Sequence, residues 1–101
     1  MSQVDLFRTA GALPQAWSSH ALGDVGTARV KVLRMDGTPV PEEAHGGAEA
    51  LVVLDGRLEL TVEGADLSVG PGELYLVPAG ARHTVREGSR GTLLIVEPAA
   101  G

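Results

Sequence analysis

Short apolar runs alternate with Gly, Pro and acidic positions along most of the chain, a rhythm that predicts strands separated by tight turns. The clearest run is Arg57-Leu58-Glu59-Leu60-Thr61-Val62. Its strict alternation places Leu58, Leu60 and Val62 on one face and Arg57, Glu59 and Thr61 on the other, so one side faces a core. Strands are expected at Gln15–Leu22, Ala28–Met35, Glu49–Leu54, Arg57–Val62, Asp66–Val69, Leu74–Val77, His83–Arg86 and Thr92–Glu97. Asp55-Gly56 between two apolar runs predicts a tight hairpin, because both residue types tolerate positive φ. Glu63-Gly64 and Gly70-Pro71-Gly72 mark further turns, and strands at this spacing suggest a sandwich or barrel rather than βαβ units. No stretch has helical periodicity, so no helix is expected. Residues 1–14 read as an edge strand or arm, and Pro98 to Gly101 as a frayed end.

Composition narrows the chemistry. At 101 residues the chain is expected to form one domain, residues 1–101, and its 44% hydrophobic content can supply one core. The absence of cysteine excludes a disulfide scaffold, a thiolate metal site and a cysteine nucleophile, so any metal here must use His, Asp or Glu. Net charge is -5 and Lys and Arg are scattered singly, leaving no basic stripe to follow a phosphate backbone. Nucleic acid is not expected as a partner. The first eight residues carry Asp5 and Arg8 and no apolar run long enough for a signal or a membrane span, so a cytoplasmic location is expected. A short barrel leaves edges and apolar faces that a second copy commonly covers, and a homodimer is expected.

The chemistry-bearing residues form two clusters. In the first, Glu43 and His45 are two apart, so in an extended chain they project from one face, and Glu49 keeps that parity. Gly46-Gly47 between them gives the backbone a place to bend. Glu42, by the same parity, faces away. In the second cluster Pro78-Ala79-Gly80 turns the chain and His83 opens the next strand, delivering a second imidazole.

These spacings resemble the two motifs of the cupin superfamily, G-x5-H-x-H-x3,4-E-x6-G and G-x5-P-x-G-x2-H-x3-N. Gly37, Glu43, His45, Glu49 and Gly56 match the first, over 37–56, with Glu in place of the first His. Gly72, Pro78, Gly80 and His83 match the second, over 72–87, with Glu87 where Asn is usual. The resemblance covers about half the chain and implies an all-β fold, a small antiparallel barrel or double-stranded β-helix jelly roll. It also implies that His45, Glu49 and His83 ligate one divalent metal ion, with Glu43 where a third His usually stands. Two neutral imidazoles and two carboxylates make a formally neutral site around a divalent ion, and the hard oxygen ligands favour manganese or iron, with zinc, nickel or copper also able to occupy it. If unligated, Glu43 is free to serve as a base.

Three functions fit this reading. The first is a metal-dependent enzyme of dioxygenase, isomerase or lyase type acting on a small oxygenated molecule; the second is a metal-assisted binding or sensing protein for a small molecule; the third is a metal-free structural cupin. His20 lies outside both motifs and is expected to have no catalytic role. Tyr75 and Trp17 are candidates for pocket walls, with the core the expected place for each, and Arg82 is expected on the outside or at a subunit contact. Gly37, Gly56, Gly72, Gly80 and Pro78 are expected to shape turns.

Overall fold

The computed structural model describes residues 3–99. One helix, α1 (Leu6–Ala12), precedes eight strands: β1 (His20–Val25), β2 (Ala28–Asp36), β3 (Val40–Glu43), β4 (Glu49–Val62), β5 (Ala65–Val69), β6 (Leu74–Val77), β7 (His83–Val85) and β8 (Arg90–Pro98). Every strand pair is antiparallel, in the order β1-β2-β8-β4-β7-β3, with β5 and β6 also on β4. The fold is all-β, a curled sheet of the expected jelly-roll kind.

β4 organises it. Its first half lies between β8 and β6, its second half between β5 and β7, so one strand serves both walls. The expected hairpin at Asp55-Gly56 is therefore wrong: Ala50–Leu54 and Arg57–Val62 are not partners but successive parts of one strand. The Asp-Gly pair is used instead as a bend. Gly56 has φ +78° and faces Gly91, φ +110°, across the ladder, and a Cβ on either would collide with the opposing backbone carbonyl, of Arg90 or Asp55. The Asp55 carboxylate accepts from the Thr92 N–H at 2.6 Å, satisfying a donor where the pairing register shifts. A true two-residue hairpin occurs at Glu63-Gly64, both with positive φ, joining β4 to β5.

Alternation along β4 fills the interior as expected: Val53, Leu58 and Leu60 are fully buried and join Leu33, Leu51 and Leu93 in one core. Tyr75 packs against that core.

Four other expectations are corrected. The N-terminal segment forms α1, not a strand or arm. Asp5 caps it by accepting from the Arg8 N–H at 3.0 Å, and seven residues are too few for a helical period to be seen in sequence. Arg34 secures its other end, donating to the carbonyls of Ala10 at 2.9 Å and Leu13 at 2.8 Å. β1 starts at His20 instead of Gln15, because the chain turns through Trp17, which has φ +65°. β3 lies inside the proline-rich stretch; it tolerates Pro41 because it ends the strand order, where a missing N–H removes little. The C-terminal end is less frayed than expected, since Pro98 closes β8 and the Ala99 N–H bonds the Thr27 carbonyl at 2.9 Å, while residues 100–101 lie outside the described residues.

Candidate metal centre

The two sequence clusters meet through backbone pairing. Glu43 ends β3 directly opposite His83, the first residue of β7, and the Gly80 N–H donates to the His45 carbonyl at 2.7 Å. That bond needs Gly80 at φ +77°, which is why the Pro78-Ala79-Gly80 turn positions a loop belonging to the other cluster. As a result Glu43, His45 and His83 each offer a ligand atom within 4.8 Å of the other two. The two imidazole centroids are 5.4 Å apart.

His83 is 5% exposed, and its Nδ1 lies 3.1 Å from the Ala81 carbonyl oxygen. A carbonyl only accepts, so Nδ1 carries the proton, and in neutral His83 the Nε2 lone pair faces inward, free for a metal. Nε2 is 3.2 Å from Oε1 of Glu49, which is 8% exposed at the start of β4. Glu49 thus touches His83 but stands outside the compact trio. Two atoms on one ion at about 2.1 Å lie no more than about 4.2 Å apart. The trio is thus a slight contraction away from a shared ion, and its mixed imidazole and carboxylate donors suit a divalent one.

Two charged residues that the sequence reading passed over complete the site. Glu97 of β8 hydrogen-bonds Glu49, and Nζ of Lys31 of β2 lies 2.7 Å from Glu97 Oε2. Burial, followed by the hydrogen bond to Glu97, pushes the Glu49 carboxyl up from its ordinary range. Burial also acts to raise Glu97, but the hydrogen bond and charge of Lys31 outweigh it and hold that carboxyl down. Both residues were detectable in principle: Lys31 shares parity with Leu33 and Met35, and Glu97 with Leu93 and Ile95, so opposite charges fall on the inward faces of strands expected to be buried.

The trio lines a cavity of about 240 Å³ whose walls are largely apolar, including Leu33, Leu58, Leu60 and Ile95. Trp17, expected in the core, packs against it but also lines this cavity. A second hollow of about 440 Å³ shares Lys31, His45, Glu49 and Glu97 with it. Glu42 points elsewhere, into a groove with Thr61 and Arg82. His20 is exposed, and Arg82 is exposed beside Glu63.

The cupin domain family profile matches residues 30–97, about two thirds of the chain and all of both motifs. The chain is a cupin. Among solved structures, a cupin-2 domain protein from Shewanella frigidimarina superposes with TM-score 0.84 at 19% identity, covering 94% of this chain and 93% of the other. A Thermus thermophilus protein gives TM-score 0.74 at 24% identity, covering 97% of each chain. A Ralstonia eutropha protein provisionally assigned as a mannose-6-phosphate isomerase gives TM-score 0.82 at 21% identity, covering 97% of this cupin and 98% of that chain. At such identities the likeness establishes the fold alone. No curated protein matches the sequence. Among the described residues, no helix of the cupin is long and apolar enough to cross a membrane.

Proposed function

We propose that this cupin holds one divalent metal ion through Glu43, His45 and His83, with Glu49 as a fourth group, and is a metal-dependent enzyme acting on a small oxygenated molecule. The observation that carries the reading is the convergence of the trio at the edge of an apolar cavity. A bound divalent ion supplies Lewis acidity toward a substrate oxygen, or redox chemistry with molecular oxygen if it is manganese or iron. The protein's own contribution is positional. The Ala81 carbonyl keeps His83 in one tautomer, the β3–β7 pairing sets Glu43 opposite it, and the leucine-rich wall keeps water away from the reacting group. Glu43 is exposed and has two uses: a ligand, or a base that takes a proton from the substrate and returns it. An isomerase, the class provisionally assigned to the Ralstonia relative, needs such a base.

Metal analysis of protein purified without an affinity tag tests the site: about one manganese or iron per chain is expected in the wild type and much less in His45→Ala and His83→Ala. A metal-free wild type that also binds no added Mn²⁺ would return the protein to a structural cupin. Turnover of a candidate substrate that survives substitution of Glu43, His45 and His83 would sink the enzymatic reading, and tight binding without product would favour the sensing one.

The proposal includes a homodimer. Leu74 (53% exposed) and Leu76 (64% exposed) on β6 continue outward-facing rows through Val52 and Ala50 of β4 to Leu94 and Val96 of β8, an apolar face that a symmetric second copy covers on both partners at once. Sedimentation at micromolar concentration should report a dimer that Leu76→Glu dissociates; a wild-type monomer would end this part of the proposal.

A further inference from the structure

Among the described residues, Lys31 is the only lysine or arginine lining either the metal-side cavity or the second hollow. An ammonium has three donors, and among the described residues the Lys31 Nζ makes a single hydrogen bond, to Glu97. Two N–H groups therefore remain for a ligand. Its side chain is a quarter exposed and lines the cavity.

Trp17 bounds the same space. A bulky side chain at φ +65° is an outlier in backbone conformation, and such positions persist only where surrounding contacts impose them. Here the contacts are explicit: the Trp17 backbone N–H donates to the Arg34 carbonyl at 2.9 Å, and Nε1 donates to Asp36 Oδ1 at 2.9 Å and Thr38 Oγ1 at 3.1 Å. The polar edge of the indole is thereby tied outside, while the ring lines the cavity. At about 30 Å³ per water, 240 Å³ is room for about eight waters, the size of a ring-bearing organic acid.

We propose that this cavity is built for a small monocarboxylic acid with an apolar, ring-sized body: the carboxylate on the two unused donors of Lys31, the body among Leu33, Leu58 and Ile95 against the Trp17 indole. The assignment rests on the metal reading above, because Glu43 and Glu49 repel an anion until a cation neutralises them. Glu97 takes the remaining Lys31 donor and holds the ammonium in place.

The test uses Mn²⁺-loaded protein, with metal uptake measured first by titration. Benzoate and its neutral isostere benzamide are then titrated, followed by quenching of Trp17, the one tryptophan in the chain. Benzoate is expected to bind at least tenfold tighter than benzamide, with this preference lost in Lys31→Met and kept in Lys31→Arg. A preference unchanged in Lys31→Met overturns the assignment, since the carboxylate then sits elsewhere. So does a loaded protein that binds neither probe. Where Lys31→Met fails to melt cooperatively, Glu97→Gln decides: its amide oxygen can still accept from Lys31 while the negative charge that repels a second carboxylate is gone, so benzoate should bind severalfold tighter, and no change overturns the proposal. A wild type that takes up no Mn²⁺ fails at the earlier step, that of the metal site, and is recognised there.

Discussion

Gly56 is the position where one side chain has most leverage over the fold. Its φ of +78° lies where a Cβ costs roughly 1–2 kcal/mol, and the Arg90 carbonyl occupies the space a Cβ would need. Gly56→Ala should lower stability in urea by more than about 2 kcal/mol. Gly46→Ala, with nothing near the added atom and no positive φ, serves as the neutral control. Asp36 is the second such residue. The Thr38 hydroxyl, then the Thr38 N–H and the Trp17 indole donate to it and hold its carboxyl below the usual 3.8. For a depressed carboxyl the stabilisation is complete above the unfolded value and is lost as pH falls through the folded one. The Trp17 emission of the wild type should therefore differ from that of Asp36→Ala above pH 3.8 and converge with it in more acid solution.

Among the elements, α1 is attached through few groups. It covers the outer side of β2, and the Arg34 guanidinium bonding two of its terminal carbonyls is a charged interaction worth roughly 1.5–3 kcal/mol. Arg34→Met should speed amide exchange in residues 6–12 by tenfold or more and leave Mn²⁺ affinity unchanged; equal loss of protection in β4 would mean that the helix is integral to the barrel. At this scale the sequence was informative where alternation was strict, as at Arg57–Val62. It misled at Asp55-Gly56, because the dipeptide reports only that positive φ is allowed, which suits a hairpin and a mid-strand bend equally. It said nothing of β3, whose Pro41 reads locally as turn and is permitted only by an edge position.

For the whole molecule, the metal proposal has a thermodynamic signature. An ion that binds only the folded state adds about 2.7 kcal/mol at a concentration of 100 Kd, so saturating Mn²⁺ should raise Tm by several degrees and a chelator should reverse it. The shift should vanish in His83→Ala. No shift in the wild type would count against the site.

Glu43, His45, Glu49 and His83 could be singled out from the chain alone because turn chemistry and parity are local properties, and the glycines and Pro78 that set the spacing act within a few residues. Which of these side chains meet was decided by long-range pairing. The Glu43–His83 register and the Gly80 to His45 bond gather three of them, while Glu49 is drawn toward His83 and Glu97. Lys31 and Glu97 entered the site only in three dimensions, and only there did Trp17, a candidate for core or pocket wall, take its place on the cavity. Their strands and turn are distant in sequence, and no local pattern states which charge on an inward face finds its counter-ion or which strained residue closes a cavity.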